Sequence, residues 1–264
     1  SPNPPRAGRR GLLPAQPRVV HCAATPRAQP ANPVTVHLTG FGPFGGVKEN
    51  PTSIICRLLK EYVEEGKTPE GVSEALLQEF AASGVQLQGL DALEVSAEAC
   101  RENVPAIVGA LSNQAGATAL VHLGVSGAAK HINLECRGVN VADFRIPDVR
   151  GCQSRGEPVV ASAESVLYTP LRLPEVLGEL RDREVSCEIS TDAGRYICNY
   201  IFFTSLHETK STGIPALFVH VPPFEVMSCP QQVTAVLCIL LAIARQLRGQ
   251  PTGAQGAASA KPLG

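Results

Sequence analysis

The sequence predicts an α/β protein in which helices cover both faces of one central sheet. Two observations carry this prediction. Short β-branched, apolar runs alternate along the chain with longer stretches of helical periodicity, and this alternation is typical of α/β layers. Apolar residues make up 44% of the 264-residue chain and charged residues only 18%, which is enough for a large buried core.

The first half of the chain predicts three strands and two helices. Residues 34–39 form a β-branched run that stops abruptly at the glycines of segment 40–46. Asn50 and Pro51 then supply the N-cap and first residue of a helix that Gly66 ends. The rest of this half is a segment of mixed character, an irregular strand, a helix capped by Ser96 and a short apolar strand: residues 67–82, 85–95, 96–111 and 118–123.

The second half continues the alternation. Residues 132–136 alternate in polarity as a strand does, and 216–221 form an apolar strand halted by two prolines. The longest apolar run, 233–244, is too short to span a bilayer and predicts a buried helix. The other predicted elements are a loop, a helix, a strand and two helices, the last with Gly249 beyond its end: residues 139–156, 173–180, 185–189, 196–206 and 233–247.

Both ends of the chain differ from its middle. Residues 1–33 carry five arginines and no acidic residue among many prolines and alanines. We therefore expect a disordered tail at 1–33, one α/β domain at 34–248 and a second disordered tail at 249–264. A transit peptide is the alternative for the first tail, although its prolines oppose the amphipathic helix of such peptides.

Charge and cysteine content narrow the class of partner. The formal net charge of −1 does not favour a nucleic-acid partner, and no segment demands a membrane. Nine cysteines are scattered without C-x-x-C pairs, which argues against both a disulfide framework and a zinc site. Thiols of this kind are typical of a reducing cytosol.

Segment 190–199, STDAGRYICN, places a cysteine where a helix begins after a strand. The first turn of a helix has unpaired N–H groups and the positive end of the helix dipole, which favour a thiolate and can bind an oxyanion. Cys198 is therefore the candidate nucleophile of a covalent mechanism.

Two further residues could complete such a mechanism. Ligands of open α/β sheets bind beyond the carboxyl ends of the strands, and His220 lies at such an end, on the same strand face as Phe218. Glu135, between apolar neighbours in a short strand, either reaches solvent or needs a cationic partner such as an imidazolium. A purely structural histidine is the alternative for His220, and the same holds for His122 inside its apolar strand.

The glycine segment after the first strand matches G-x-G-x-x-G, the pattern of dinucleotide-binding loops. Three features oppose that interpretation: the helix begins only at Asn50, Pro43 lacks a backbone donor, and no acidic residue ends a second strand about 20 residues on. Phe41 and Phe44 are better suited to clamp a small flat ligand. The alternative, that both rings merely pack the loop onto the core, stays open.

Four motifs in this order together resemble the pyroglutamyl-peptidase I family of cysteine peptidases: TGFGPFGG at 39–46, NLEC at 133–136, DAGRYICN at 192–199 and FVHVPP at 218–223. The resemblance covers residues 34–248 and looks close to the vertebrate pyroglutamyl-peptidase 1-like proteins. It implies a three-layer α/β/α sandwich with a mixed, mostly parallel central sheet. It also implies a cytosolic enzyme that needs no cofactor and no metal.

The activity implied by the resemblance is hydrolysis of the amide bond after an N-terminal pyroglutamate. The implied triad has Cys198 as nucleophile, His220 as base and Glu135 as the acid that orients the ring. The substrate-binding positions carried over from the family are Phe41, Phe44, Asn50, Tyr196, Ile197 and Arg145.

One position departs from the family pattern. Many microbial members of the family that this chain resembles have a glutamine at the position of Val125, and its amide could contact the lactam. Recognition of the lactam in this chain is therefore expected to depend more on backbone groups. The expected partners are small peptides with an N-terminal pyroglutamate, and no oligomeric state is predicted. The alternative function is a catalytically weak or inactive paralogue that binds pyroglutamyl or similar peptide N-termini.

Overall fold

The computed structural model of the protein describes residues 33–249, which contain ten strands and six helices. The strands are β1 (Val34–Phe41), β2 (Val85–Leu93), β3 (Ala117–Val125), β4 (Ile132–Glu135), β5 (Arg137–Val139), β6 (Ala142–Asp143), β7 (Arg155–Glu157), β8 (Val166–Tyr168), β9 (Cys187–Ser190) and β10 (Ala216–Val221). The helices are α1 (Pro51–Glu65), α2 (Glu74–Ala82), α3 (Ala97–Ser112), α4 (Leu173–Asp182), α5 (Ile197–Thr209) and α6 (Cys229–Gly249).

Six strands form the central sheet in the order β2-β1-β3-β10-β4-β9. Neighbouring strands run parallel except for β4, which runs antiparallel to β10. One buried core packs α1, α2, α4 and α6 on the sheet, and a second core packs α3 and α5 on it. The prediction of a mixed, mostly parallel sheet between helical layers is confirmed.

Local chemistry explains where the helices of the first half begin and end. The Asn50 side chain accepts a hydrogen bond from the backbone N–H of Thr52, and Gly66 ends α1 in the left-handed conformation with φ 70°. The Ser96 side chain caps α3 by accepting from the N–H of Ala99. All three roles are those that the sequence predicts.

Several boundaries differ from the prediction. The mixed segment 67–82 contains the helix α2, and the predicted loop 139–156 contributes the short strands β6 and β7, which pair with each other. Helix α5 begins at Ile197, one residue later than predicted, and continues to Thr209. The predicted tails at 1–33 and 249–264 lie almost wholly outside the described residues, and that part of the domain prediction stays a prediction.

The last helix is longer than its apolar run suggests. Helix α6 begins at Cys229, four residues before the predicted start, and includes Gly249. The sequence predicts that the apolar run 233–244 is too short to span a bilayer. The whole helix has 21 residues and is long and apolar enough to cross a membrane by length and composition, which corrects that prediction. Because 78% of its most apolar window is buried inside the fold, it packs as a core helix does.

The direction of β9 determines how Cys198 reaches the site. Strand β9 runs parallel to β4, and both run opposite to β1, β3 and β10. The linker 191–196, rather than the strand end itself, therefore brings the start of α5 to the edge where β3 and β10 end.

Candidate active site

Helix α5 presents Cys198 in its first turn. Tyr196 is the N-cap, with extended backbone and no side-chain cap hydrogen bond, and Cys198 is the second helical residue. The first N–H groups of a helix have no partner within the helix. The backbone donors around Cys198 are therefore available to a ligand, and the helix dipole favours negative charge at this point.

His220 and Glu135 form a buried pair on neighbouring strands. The Nδ1 atom of His220 lies 2.8 Å from Oε1 of Glu135, and the side chains are only 8% and 1% exposed. The antiparallel register places Glu135 opposite Phe218, two residues before His220 on the same strand face. The Phe218 ring packs edge-on against the His220 ring with centroids 4.8 Å apart.

The Cys198 thiol completes the constellation through a side-chain hydrogen bond with His220. Since Nδ1 is bonded to Glu135, this bond falls to Nε2. Burial alone would lower the pKa of His220, but the charge and hydrogen bond of Cys198, followed by those of Glu135, outweigh it and raise the pKa to about 10. The structure therefore favours an imidazolium at His220.

Gly124, at the end of β3, leaves the space that the sulfur atom occupies. A Cβ atom at this position would lie 3.1 Å from Sγ of Cys198 and 2.5 Å from Cζ of Phe218. Any larger residue would push the thiol or the ring away. Gly124 thus fixes the position of Cys198.

A small recess adjoins the thiol. It contains no Asp, Glu, Lys or Arg side chain, and its wall is lined by Phe41, Phe44, Asn50, Val95, Val125, Tyr196, Ile197 and Cys198. The sequence predicts nine site residues, and six of them line this recess. The other three are His220, Glu135 and Arg145. A site without charged walls favours an uncharged, compact ligand.

The two phenylalanines of the glycine loop have different surroundings. Phe41 is 3% exposed and packs 6.5 Å from Phe218, so it belongs to the core as well as to the recess. Phe44 is half-buried and faces Tyr196 with ring centroids 6.4 Å apart. The burial of Phe41 favours a role in core packing. The half-buried Phe44 is the better placed of the two to contact a ligand, and its role as a ring clamp stays a prediction.

Asn50 holds the glycine loop in place. Its Nδ2 donates to the carbonyl of Gly42 at 3.1 Å, and its Oδ1 accepts from the N–H and hydroxyl of Thr52. The Thr52 hydroxyl in turn accepts from the N–H of Phe41 at 2.9 Å. Asn50 therefore lies at the recess with its polar atoms already engaged, and this geometry favours a positioning role.

A family model described as pyroglutamyl peptidase matches residues 34–244, most of the chain. The chain belongs to the pyroglutamyl peptidase family. The matched residues include the whole of the recess and the Cys198, His220 and Glu135 side chains.

Relatives and solved structures agree with this assignment. The chain is 32% identical over 189 residues to pyrrolidone-carboxylate peptidase of Pyrococcus furiosus, which covers 71% of this chain and 80% of the relative. It is also 32% identical over 191 residues to the protein of the same name from Chromobacterium violaceum, with 71% and 77% covered. The pyrrolidone carboxyl peptidase structure from P. furiosus superposes with a TM-score of 0.65 at 27% identity, and the match covers 81% of this chain and 99% of that chain. The structure from Thermus thermophilus superposes with a TM-score of 0.60 at 27% identity, and the match covers 79% of this chain and 98% of that chain.

Arg145 is the one predicted substrate-binding residue that does not line the recess. It is exposed in the segment between β6 and β7, and its carbonyl accepts a hydrogen bond from Gln153. Its neighbour Phe144 is fully buried and packs edge-on against Tyr196, with centroids 5.1 Å apart. The role of Arg145 in this pyroglutamyl peptidase stays a prediction.

His122 is a structural histidine, the role that its strand position favours. Its Nδ1 lies 2.6 Å from the Thr39 hydroxyl and its Nε2 lies 2.8 Å from the Ser205 hydroxyl, so it links β1, β3 and α5. Burial, with a smaller contribution from His37, lowers its pKa to about 3. A neutral ring in this place packs the core without titrating near neutral pH.

Sequence reasoning missed Asn199, which ties α5 to the chain after β5. Its buried side chain accepts from the N–H of Val139 at 2.8 Å and donates to the carbonyls of Val139 and Val141 at 2.8 and 3.1 Å. An asparagine one residue after the candidate nucleophile, inside an apolar helix, is the signal that could have revealed it. Asn199 connects the Cys198 helix with the segment that continues from Glu135.

Asp148 is a second missed residue, and it secures the loop beside Tyr196. Its carboxylate accepts from the N–H groups of Ala97, Arg150 and Cys152 at 2.9 to 3.0 Å. The Tyr196 hydroxyl donates to the carbonyl of Pro147, the residue directly before Asp148.

Over residues 33–249, no group of three or more His, Cys, Asp or Glu side chains is arranged to hold a metal ion.

Proposed function

We propose that this protein is a cysteine exopeptidase that removes an N-terminal pyroglutamyl residue from peptides. The observation that carries the proposal is the Cys198 thiol, hydrogen-bonded to a buried His220–Glu135 pair, at the wall of a small uncharged recess. Membership of the pyroglutamyl peptidase family supports the same activity.

In the proposed mechanism the Cys198 thiolate attacks the carbonyl carbon of the pyroglutamyl residue. The N–H groups in the first turn of α5 stabilise the resulting oxyanion. The His220 imidazolium gives its Nε2 proton to the leaving nitrogen as the C–N bond breaks and a thioester forms. His220 then takes a proton from a water molecule that attacks the thioester, which releases pyroglutamate and regenerates the thiolate. Glu135 orients the ring and stabilises its positive charge throughout.

The recess supports discrimination between pyroglutamate and an ordinary N-terminus. A lactam is flat and uncharged, whereas a free α-ammonium group would be desolvated against Phe41, Phe44 and Val125 with no acidic side chain to pair with it. Removing a charge from water without a partner costs several kcal/mol. Peptides with a free amino terminus should therefore be excluded.

Mass spectrometry of peptide products tests this proposal. Pyroglutamyl-alanyl-alanine should yield free pyroglutamate, whereas glutaminyl-alanyl-alanine and prolyl-alanyl-alanine should stay intact. Cleavage of all three peptides would contradict the proposed specificity. Binding of the pyroglutamyl peptide without turnover would favour the non-catalytic paralogue instead.

We also propose that the protein belongs near the vertebrate pyroglutamyl-peptidase 1-like members and acts in the cytosol. The likeness of the four sequence motifs to those of the vertebrate members supports the first point, while the relatives named above are bacterial and archaeal. All eight cysteines in the described part of the chain are free thiols, which supports a reducing compartment.

A further inference from the structure

A second, larger depression adjoins the catalytic recess. It is lined by Phe44, Val47, Pro51, Val125, Phe224 and the two glutamates Glu49 and Glu225, among others. Phe44 and Val125 border both the recess and this groove. The two spaces are therefore neighbours, separated by no more than these two side chains.

The position of His220 gives the groove a direction. The groove wall includes Pro223 and Phe224, which follow His220 by three and four residues. In the mechanism above, His220 protonates the leaving nitrogen, so the chain beyond the scissile bond must depart on the side of His220. The groove adjoins the recess and is bounded by the segment that follows His220. It therefore lies on the side where the rest of the peptide would leave.

The charges of the groove are of one sign. Glu49 and Glu225 are exposed, and neither forms a salt bridge or a side-chain hydrogen bond with another described residue. Lys48 stands between Val47 and Glu49 in the sequence but does not line the groove. The groove thus combines an apolar floor from Phe44 and Phe224 with two acidic side chains that have no cationic partner.

We propose that this groove receives the residues that follow pyroglutamate and that Glu49 and Glu225 favour peptides with a basic side chain among the first two of them. The proposal rests on the proposed function. It specifies the substrate class of that activity, because the recess recognises the pyroglutamyl ring and the groove discriminates among the peptides that carry it. Exposed ion pairs are weak, so the two glutamates should change kcat/KM by only roughly tenfold between lysine and glutamate.

The test is a series of pyroglutamyl tetrapeptide amides with Lys, Gln or Glu at the first or second position after pyroglutamate and Ala elsewhere. At low ionic strength, kcat/KM should follow the order Lys, Gln, Glu at one or both positions, with roughly a tenfold range that narrows as salt is added. In the double variant Glu49→Gln/Glu225→Gln the order should collapse to nearly equal values. Turnover of pyroglutamyl-aminomethylcoumarin, which has no peptide beyond the scissile bond, should be unchanged.

The matched control is Glu64→Gln/Glu208→Gln, which makes the same change of charge. These residues lie near the far ends of α1 and α5, about three turns from the helix starts that face the site, and the control should keep the preference for lysine. No preference in the native protein, or a preference that survives in the Glu49→Gln/Glu225→Gln variant, would overturn the proposal while coumarin turnover remains. If the coumarin substrate itself is not turned over, the proposed function fails and this proposal fails with it.

Discussion

Glu135 and His220 depend on each other because both side chains are buried and have almost no contact with water. One carboxylate oxygen of Glu135 bonds to Nδ1 of His220, and the other has no hydrogen-bond partner among the described residues. His220 in turn lies between that carboxylate and Cys198. At the scale of single residues, the charge state of the imidazole is therefore the property that the rest of the site controls.

Replacing Glu135 by glutamine should lower kcat/KM by roughly 10²- to 10⁴-fold. The amide can still accept a hydrogen bond from Nδ1, but the negative charge that helps to raise the pKa of His220 is lost. The alkaline limb of the pH–rate profile should accordingly move to lower pH. Glu188→Gln is the matched control, because Glu188 pairs with the exposed His131 at 3.3 Å and should leave the profile unchanged. An unshifted alkaline limb in Glu135→Gln would contradict the assignment.

Replacing Cys198 by serine should change how stability depends on pH. The folded-state pKa of His220 is raised from 6.5 to about 10, so its contribution to stability is fully present below pH 6.5 and is lost as the pH rises through about 10. Because Cys198 makes the largest raising contribution, the serine variant should lose less stability over this interval than the native protein does. Urea unfolding at both ends of the interval measures the difference. Equal losses in the two proteins would argue against a thiolate–imidazolium pair.

At the scale of the elements, the site depends on two connections that hold α5 against the sheet. Gly138 on β5 lets the helix backbone approach, since a Cβ there would lie 2.9 Å from Cα of Phe203. Asn199 then bonds the first turn of α5 to the chain at 139–141. The short linker before the helix and these two contacts together fix the position of Cys198.

Replacing Asn199 by alanine should lower the free energy of unfolding by about 3 kcal/mol, because it removes three hydrogen bonds to the backbone of Val139 and Val141. Asn103→Ala, which removes one bond within α3 to the carbonyl of Ala99, is the control and should cost about 1 kcal/mol or less. Urea denaturation followed by circular dichroism gives both values. Similar losses in the two variants would show that Asn199 does not secure the helix.

The elements also show how far the sequence could predict this site. Periodicity and capping residues located α1, α3 and the main strands, because those signals are local. The antiparallel direction of β4 and β9 relative to β10 has no local signal, so the path by which the linker 191–196 brings Cys198 to His220 could not be predicted. The hydrogen bonds of Asn199 join positions 60 residues apart, a separation at which only the folded backbone reveals the partner.

At the scale of the whole molecule, the fold brings residues from distant parts of the chain to one edge of the sheet. β1 contributes the glycine loop, β3 the glycine under the thiol, β10 the histidine and α5 the cysteine. The pairing Glu135–His220 spans 85 residues, so spacing alone nominated both residues without joining them. The family resemblance joined them and named the substrate, while Arg145 shows that a residue carried over from a family still needs a position in the folded chain.

The central claim is that Cys198 is the nucleophile of a pyroglutamyl peptidase, and turnover of pyroglutamyl-aminomethylcoumarin tests it most directly. The native protein should release the fluorophore, and Cys198→Ala should lower kcat/KM by more than about 10⁴-fold with an unchanged circular dichroism spectrum. Cys152→Ala, which removes an exposed free thiol, should retain full activity as the matched control. A native protein without turnover, or a Cys198→Ala variant that keeps it, would contradict the account.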